Sequence, residues 1–239
     1  MKFAVNGERL MVNGSVGSAT VEGSREVVTR ILFLCGVAAS VLYFAANVIV
    51  PTQWAEYSFV DQTVSELSAI GAPTRGLWIA LMVPYGILLI AFGAGVWMCG
   101  ERMKRLRLVG AMLIAQGVVG YFWPPMHLRG AETTMTDTMH IVFTLIVVPL
   151  MMFGIWFSAP VVGKWYAVAT LLIVILFGAM TGFYGPNIAA NLPTPWAGIW
   201  ERISIGAWTI WVVVLAVRLM RADTFFERGS GGSGGSGRI

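Results

Sequence analysis

Two histidines and six carboxylates that fall into a few short stretches carry most of the chemistry open to this chain. In Thr136-Asp137-Thr138-Met139-His140 the acid and the imidazole stand three apart, a spacing that places both on one helical face. A carboxylate beside an imidazole fixes its tautomer and raises its basicity, which suits a general base or a metal ligand. The plainer reading makes Asp137 a helix cap and His140 a buried hydrogen-bonding residue. Asp61 and Ser65 share a face at i,i+4, whereas Glu66 points elsewhere. A nucleophilic Ser65 would need a base, for which His140 from another helix is the candidate; otherwise this is a solvated surface helix with Glu66 in its first turns. Glu201 suits the positive end of a helix dipole, and Arg202 beside it could hold an acidic partner or an anionic headgroup, with structural pairing of the two as the default. The candidate catalytic set is therefore His140, Asp137, Ser65 and Glu66. The candidate ligand-binding set is Asn47, Asp61, His127, Arg129, Glu201 and Arg202. A zinc ion held by the histidines with Asp137, Glu132, Asp61 or Glu66 is a further option, although no HExxH or HxxxH pattern is present.

What must position these groups is a set of long apolar runs, roughly 27–50, 77–99, 107–124, 139–159, 165–183 and 202–220. Each is close to the ~20 residues that cross a bilayer core as a helix. With the N-terminus placed in the cytoplasm, 13 of the 16 cations fall on that side and only Arg75, Arg129 and Arg202 on the other. This is the asymmetry the positive-inside rule describes. The expected fold is an all-α polytopic membrane bundle of six helices with both termini cytoplasmic. Hydrophobic residues make up 57% and charged residues 12% of the chain, against about 25% charged in a typical soluble domain. Topology and anionic lipid account for the net charge of +4, so nucleic acid is not an expected partner. Cys35 and Cys99 sit within or at the cytoplasmic ends of spans, away from any disulfide framework.

Residues 1–26 read as a flexible cytoplasmic segment, 27–220 as the membrane domain and 221–228 as a cytoplasmic tail. Gly229–Gly237 resembles an engineered flexible linker, so 229–239 are set aside. The inner connections are short, whereas the outer ones (51–76, 125–138 and 184–201) are long and carry the motifs. The first of these should hold a short surface helix between Asp61 and Ala69, and Trp54, Trp78, Trp123, Trp196 and Trp200 should form an outer aromatic belt. Polar groups inside the spans also gather toward the outer halves: Tyr43, Asn47, Tyr85, Tyr121, His140, Thr144, Thr181, Tyr184 and Ser204, with Gln116 near the middle. Apolar packing below and a polar cavity opening above is the picture this skew suggests.

The run Asp61-Gln-Thr-Val-Ser-Glu-Leu-Ser-Ala-Ile-Gly-Ala-Pro-Thr-Arg75 resembles the SELGA-x-GAP signature of the small prokaryotic membrane proteins called domain of unknown function 998. The resemblance extends to Thr136–His140 and to Glu201–Trp208, and covers roughly 27–220; Ser68 stands where the family usually has Gly. It implies a six-span bundle with its polar motifs on the outer side, and it implies no reaction.

The expected function is an outward-facing polar site in the cell membrane that binds a lipid or other amphiphile, with hydrolysis of that ligand as a further option. Membrane lipids are the expected partners, along with a second copy of the chain or another membrane protein. The alternatives are a small-solute or ion transporter, with Pro84 and Pro149 as helix-breaking positions, and a non-catalytic membrane subunit or scaffold.

Overall fold

A computed structural model describes residues 7–100 and 103–230, with side chains over 23–100 and 103–222. Among the described residues eight α-helices follow one another: α1 Gly7–Ile49, α2 Arg75–Cys99, α3 Lys104–Tyr121, α4 Met135–Phe157, α5 Ala159–Val162, α6 Lys164–Phe183, α7 Gly185–Ala189 and α8 Ala197–Ser230. Two 3-10 turns, Val50–Gln53 and Val64–Ser68, punctuate the first long connection. The breaks fall where the sequence demands them. Pro51 ends α1, Pro124 and Pro125 prevent α3 from continuing, and Gly163 in a left-handed conformation (φ 104°) separates α5 from α6.

Five helices among the described residues, lying within 23–53, 75–99, 135–157, 164–189 and 197–222, are long and apolar enough to cross a membrane. The sixth expected span, α3, falls short on composition because Lys104, Arg105 and Arg107 crowd its first turn. It nevertheless runs antiparallel along α2, with Arg107 beside Gly100, Ile114 beside Gly93 and Tyr121 beside Gly86. The protein is an all-α polytopic bundle. Two boundaries differ from expectation. The segment expected to be flexible is helical from Gly7, and the expected tail continues α8 to Ser230, because neither stretch contains a proline to stop a helix. From residue 231 the linker-like stretch lies outside the described residues.

The six long helices form a ring in chain order, α1–α2–α3–α4–α6–α8, which closes where α8 returns to α1. Ser40 of α1 donates to the Thr209 carbonyl of α8 (3.2 Å) at that closure. The main core fills one end of the ring, the end with the short connections. Phe33, Phe92, Leu113, Ile155, Trp211 and Leu215 are all fully buried there. Trp208 and Trp211 stack at 4.6 Å, and the Trp211 indole donates to Ser158 Oγ (3.0 Å). A second, smaller core of Ala46, Val50, Val64, Leu67 and Trp78 sits under the first long connection, on the α1–α2 side. Trp78, expected in an interfacial belt, belongs to this core and is buried.

Between the two cores the packing thins. Along one face of α4, Gly154, Ile155 and Ser158 are buried, whereas His140, Thr144, Val147 and Met151 are half-buried. On α6, Ala167, Thr170 and Val174 are buried, and Phe177, Thr181 and Tyr184 on the same face are not. On α8, Trp208, Trp211 and Leu215 are buried, while Ser204 and Glu201 one and two turns earlier are half-buried. Three helices therefore lose their neighbours at the same end, the one bearing the long connections.

Candidate functional site

The polar groups of that end are drawn into a hydrogen-bonded roof, and its hub is Glu66. Thr63-Val64-Ser65-Glu66 forms a capping box, in which the Glu66 carboxylate accepts from the Thr63 amide (2.7 Å) and hydroxyl (2.9 Å). Glu66 is fully buried, not solvated on a surface helix as the sequence suggested. Burying a carboxylate demands a partner. Arg129, from the second long connection, supplies it with a two-pronged contact through Nε and Nη2 (Nη2 at 2.9 Å). Arg129 Nη2 also reaches the Asp61 carbonyl (3.1 Å) and Thr194 Oγ1 (2.7 Å). Thr194 in turn donates to the Asp61 carbonyl (2.7 Å), and the Asp61 carboxylate accepts from the Trp196 amide (3.1 Å) and Ser58 Oγ (2.9 Å). All three long connections thus meet around one ion pair.

The start of α8 clamps the same loop from below. Glu201 accepts from the Val64 amide, the first of the 3-10 turn, and from Ser65 Oγ (3.1 Å). Arg202 donates to the carbonyls of Phe59 (3.0 Å) and Gln62 (3.2 Å) and to the Tyr57 hydroxyl (2.7 Å), with its guanidinium 3.8 Å from the Phe59 ring centre. Burial pushes the Tyr57 phenol above its ordinary pKa against the lowering effect of Arg202, so the hydroxyl stays protonated and donates to the Gln62 and Thr63 carbonyls. The loop approaches α8 so closely that a Cβ on Gly198 would stand 2.7 Å from the Phe59 carbonyl oxygen.

This clamp can be tested directly. Glu201→Ala leaves the Val64 amide and the Ser65 hydroxyl without their acceptor, at about 1–3 kcal/mol for each buried group left unmet. Melting in detergent should fall accordingly, and chymotrypsin should begin to cut near Tyr57 and Phe59. Unchanged melting and cleavage would show that the clamp is dispensable.

The histidines lie outside the roof, and the structure corrects the expected pairing of Asp137 with His140. The Asp137 carboxylate turns to His127, accepting from its amide (2.7 Å) and pairing with its Nδ1 (2.8 Å). It also completes a capping box with Thr134. Asp137 therefore holds the second connection onto the start of α4 and orients His127 instead of His140. Nδ1 of His140 lies 3.0 Å from the Trp123 indole nitrogen and 2.8 Å from the Pro124 carbonyl. It accepts from the first or donates to the second, according to tautomer. Ser65 is hydrogen-bonded to Glu201, not to a histidine. Asn47 donates to its own helix at the Tyr43 carbonyl (3.0 Å), and its buried Oδ1 has no partner. Among the described residues no three His, Cys, Asp or Glu side chains converge as a metal centre would require, so the zinc set considered from sequence is not assembled there.

Of the expected residues, the structure thus joins Asp61, Ser65, Glu66, Arg129, Glu201 and Arg202 in the roof, and Asp137 with His127 beside it. His140 and Asn47 stand apart. Sequence reasoning passed over Thr63, Thr194 and Tyr57. A signal existed for Thr63, since a threonine three residues before a glutamate marks a capping box. No local pattern marks Thr194, whose partners Asp61 and Arg129 are distant in the chain, or Tyr57, which receives Arg202 from 145 residues away.

Fold and site together define a polytopic membrane protein whose long connections are locked over one end of a helical ring. The chain belongs to the family described as Protein of unknown function (DUF998), which matches residues 37–218. Neither a curated protein nor a solved structure matches it.

Proposed function

We propose that this protein binds a membrane amphiphile in a chamber at the roofed end of the ring, and that this end faces away from the cytoplasm. The observation that carries the reading is the change in burial along α4, α6 and α8, each packed at one end and half-buried on the same face at the other. The lining this leaves is chiefly apolar. Its hydroxyls are turned away, with Thr144 donating to the His140 carbonyl (2.9 Å), Thr181 to Phe177 (2.9 Å) and Ser204 to Val174 (3.1 Å). An apolar cleft with a polar rim suits a molecule with a hydrocarbon tail. The roof network then serves to keep the lid of the chamber rigid.

Binding has more support than hydrolysis. His127 is oriented by Asp137 as a base would be, yet no hydroxyl is hydrogen-bonded to its ring among the described contacts. Transport has less, because the stacked Trp208 and Trp211 and the buried Phe33 and Phe92 fill the opposite end.

Thr144→Trp and Thr181→Trp each place an indole in the chamber. Native mass spectrometry of the wild-type protein released from lipid nanodiscs should detect a retained amphiphile, and both variants should lose it while melting within a few degrees of wild type. Equal retention in all three would sink the reading. The orientation has its own test, resting on the 13-to-3 split of cations. In intact cells a cysteine at exposed Thr134 should react with a membrane-impermeant thiol reagent and one at exposed Lys104 should not; the reverse pattern inverts the topology.

A further inference from the structure

We infer that the amphiphile is uncharged and carries an oxygen acceptor that meets Gln116; this rests on the proposed binding chamber. Leu106, Val109 and Leu113 form the stripe that α3 contributes to the main core, and Gln116 is the next position on that stripe. It lies about 18 Å along the helix from Lys104 at 1.5 Å per residue, beyond the midpoint of a ~30 Å hydrocarbon core. Gln116 is only 7% exposed, and its Nε2 is buried without a hydrogen-bond partner. A primary amide donor left unmet at that depth destabilises the fold, so an acceptor from outside the protein is the natural complement. An oxygen on a bound molecule, such as a carbonyl, ester or hydroxyl, supplies one.

The charge of the ligand follows from what the cations near the chamber are doing. Arg129 is committed to Glu66, the Asp61 carbonyl and Thr194. Arg202 is committed to three carbonyls and Tyr57; its Nε is buried without a partner, but the guanidinium carbon stands 3.8 Å from the Phe59 ring centre, within the loop clamp. Of the other basic groups at this end, Arg75 donates to the Ser68 carbonyl (2.6 Å), His127 pairs with Asp137, and Nδ1 of His140 is taken up by Trp123 and Pro124, while the acids Asp61, Glu66, Asp137 and Glu201 would repel an anion. An anionic head would therefore find no free countercharge, and burying it at the depth of Gln116 is costly. A cationic head has no carboxylate at that depth, since Glu201 and Glu66 are occupied by the 3-10 turn and by Arg129. A neutral head fits both conditions.

Three probes with the same tail length separate the terms: methyl oleate, oleate and 1-octadecene. Each is titrated, as mole fraction in detergent micelles, against the full-length protein while its thermal stability is read. Methyl oleate should stabilise most, octadecene should bind about tenfold more weakly for want of one hydrogen bond, and oleate should stabilise least. In Gln116→Leu, with Gln116→Met as the second variant in case the first folds poorly, methyl oleate and octadecene should become equivalent. Oleate binding as well as its methyl ester would overturn the neutral-head inference and leave the chamber standing. Methyl oleate and octadecene matching already in the wild-type protein would overturn the role of Gln116. No response to any probe, together with an unchanged Thr144→Trp variant, would count against the chamber itself.

Discussion

Arg129→Met should cost the folded protein about 3–5 kcal/mol, because it strands the carboxylate of Glu66 in an interior from which water is excluded. Glu66 is 0% exposed, and its other donors, the Thr63 amide and hydroxyl and the Gln62 amide, carry no charge. Arg129→Lys should be nearly as damaging, since an ammonium cannot reproduce a contact made through both Nε and Nη2 while also reaching Thr194. Glu66→Gln alone leaves the guanidinium without its countercharge, while the glutamine oxygen can still accept from Thr63 in the capping box. Pairing Glu66→Gln with Arg129→Met removes both charges, so the double variant should be more stable than the sum of the two losses implies. A double-mutant cycle on melting in detergent measures this coupling. Additive losses would mean that the two residues act separately and that the roof has no hub.

The second large effect concerns the seam between α2 and α3. A Cβ placed on Gly110 would stand 2.6 Å from the Trp97 amide nitrogen, 2.7 Å from the Gly93 carbonyl oxygen and 2.8 Å from the Trp97 Cα. All three are backbone atoms of the facing helix, so no side chain can swing aside and the helices must part. Gly110→Ala should therefore destabilise by about 1–3 kcal/mol, the range for overpacking a closed core, and Gly110→Leu should exceed it. Gly120 lies in the same helix with nothing within 4 Å of a built Cβ. There the same substitution should be neutral or stabilise by up to about 1 kcal/mol through helix propensity. Equal effects at the two positions would show that the seam tolerates a wider spacing. Close approach of small residues is how membrane helices associate without a hydrophobic force between them.

The contrast between the seam and the roof explains what could be read from the chain. Helix identity and membrane character followed from apolar runs of sufficient length, but the third run was read as a full span although the basic residues in the first turn of α3 weaken it as one. The roof residues were legible as types in the right loops, because unpaired acids and arginines next to spans are conspicuous. Their partners were not. Three-residue spacing suggested Asp137 with His140, but spacing fixes only which face a side chain leaves from. The loop carrying His127 folds back over the start of α4 and reaches the carboxylate first, with the Ile70 amide bonded to the Met126 carbonyl (2.8 Å) holding that loop in place. Glu66 illustrates the same point. Its position three residues after Thr63 carried the signal of a cap that went unread, whereas its burial depends on Arg129, 63 residues away. The unmet donor of Gln116 depends on the arrangement of the whole ring.

The roof has a consequence for how the protein is made. Glu201 lies 137 residues beyond the Val64 amide it caps, and Thr194 lies 133 beyond the Asp61 carbonyl it meets. Contacts so distant in sequence are among the slowest to form. During synthesis Arg129 can reach Glu66 once the second connection has emerged, but the Val64 amide and the Asp61 carbonyl wait for Glu201 and Thr194. Closure of the lid therefore reports the arrival of α8. A molecule whose last helix is mis-threaded lacks the clamp of Glu201 and Arg202 on this loop, and a finished one has it.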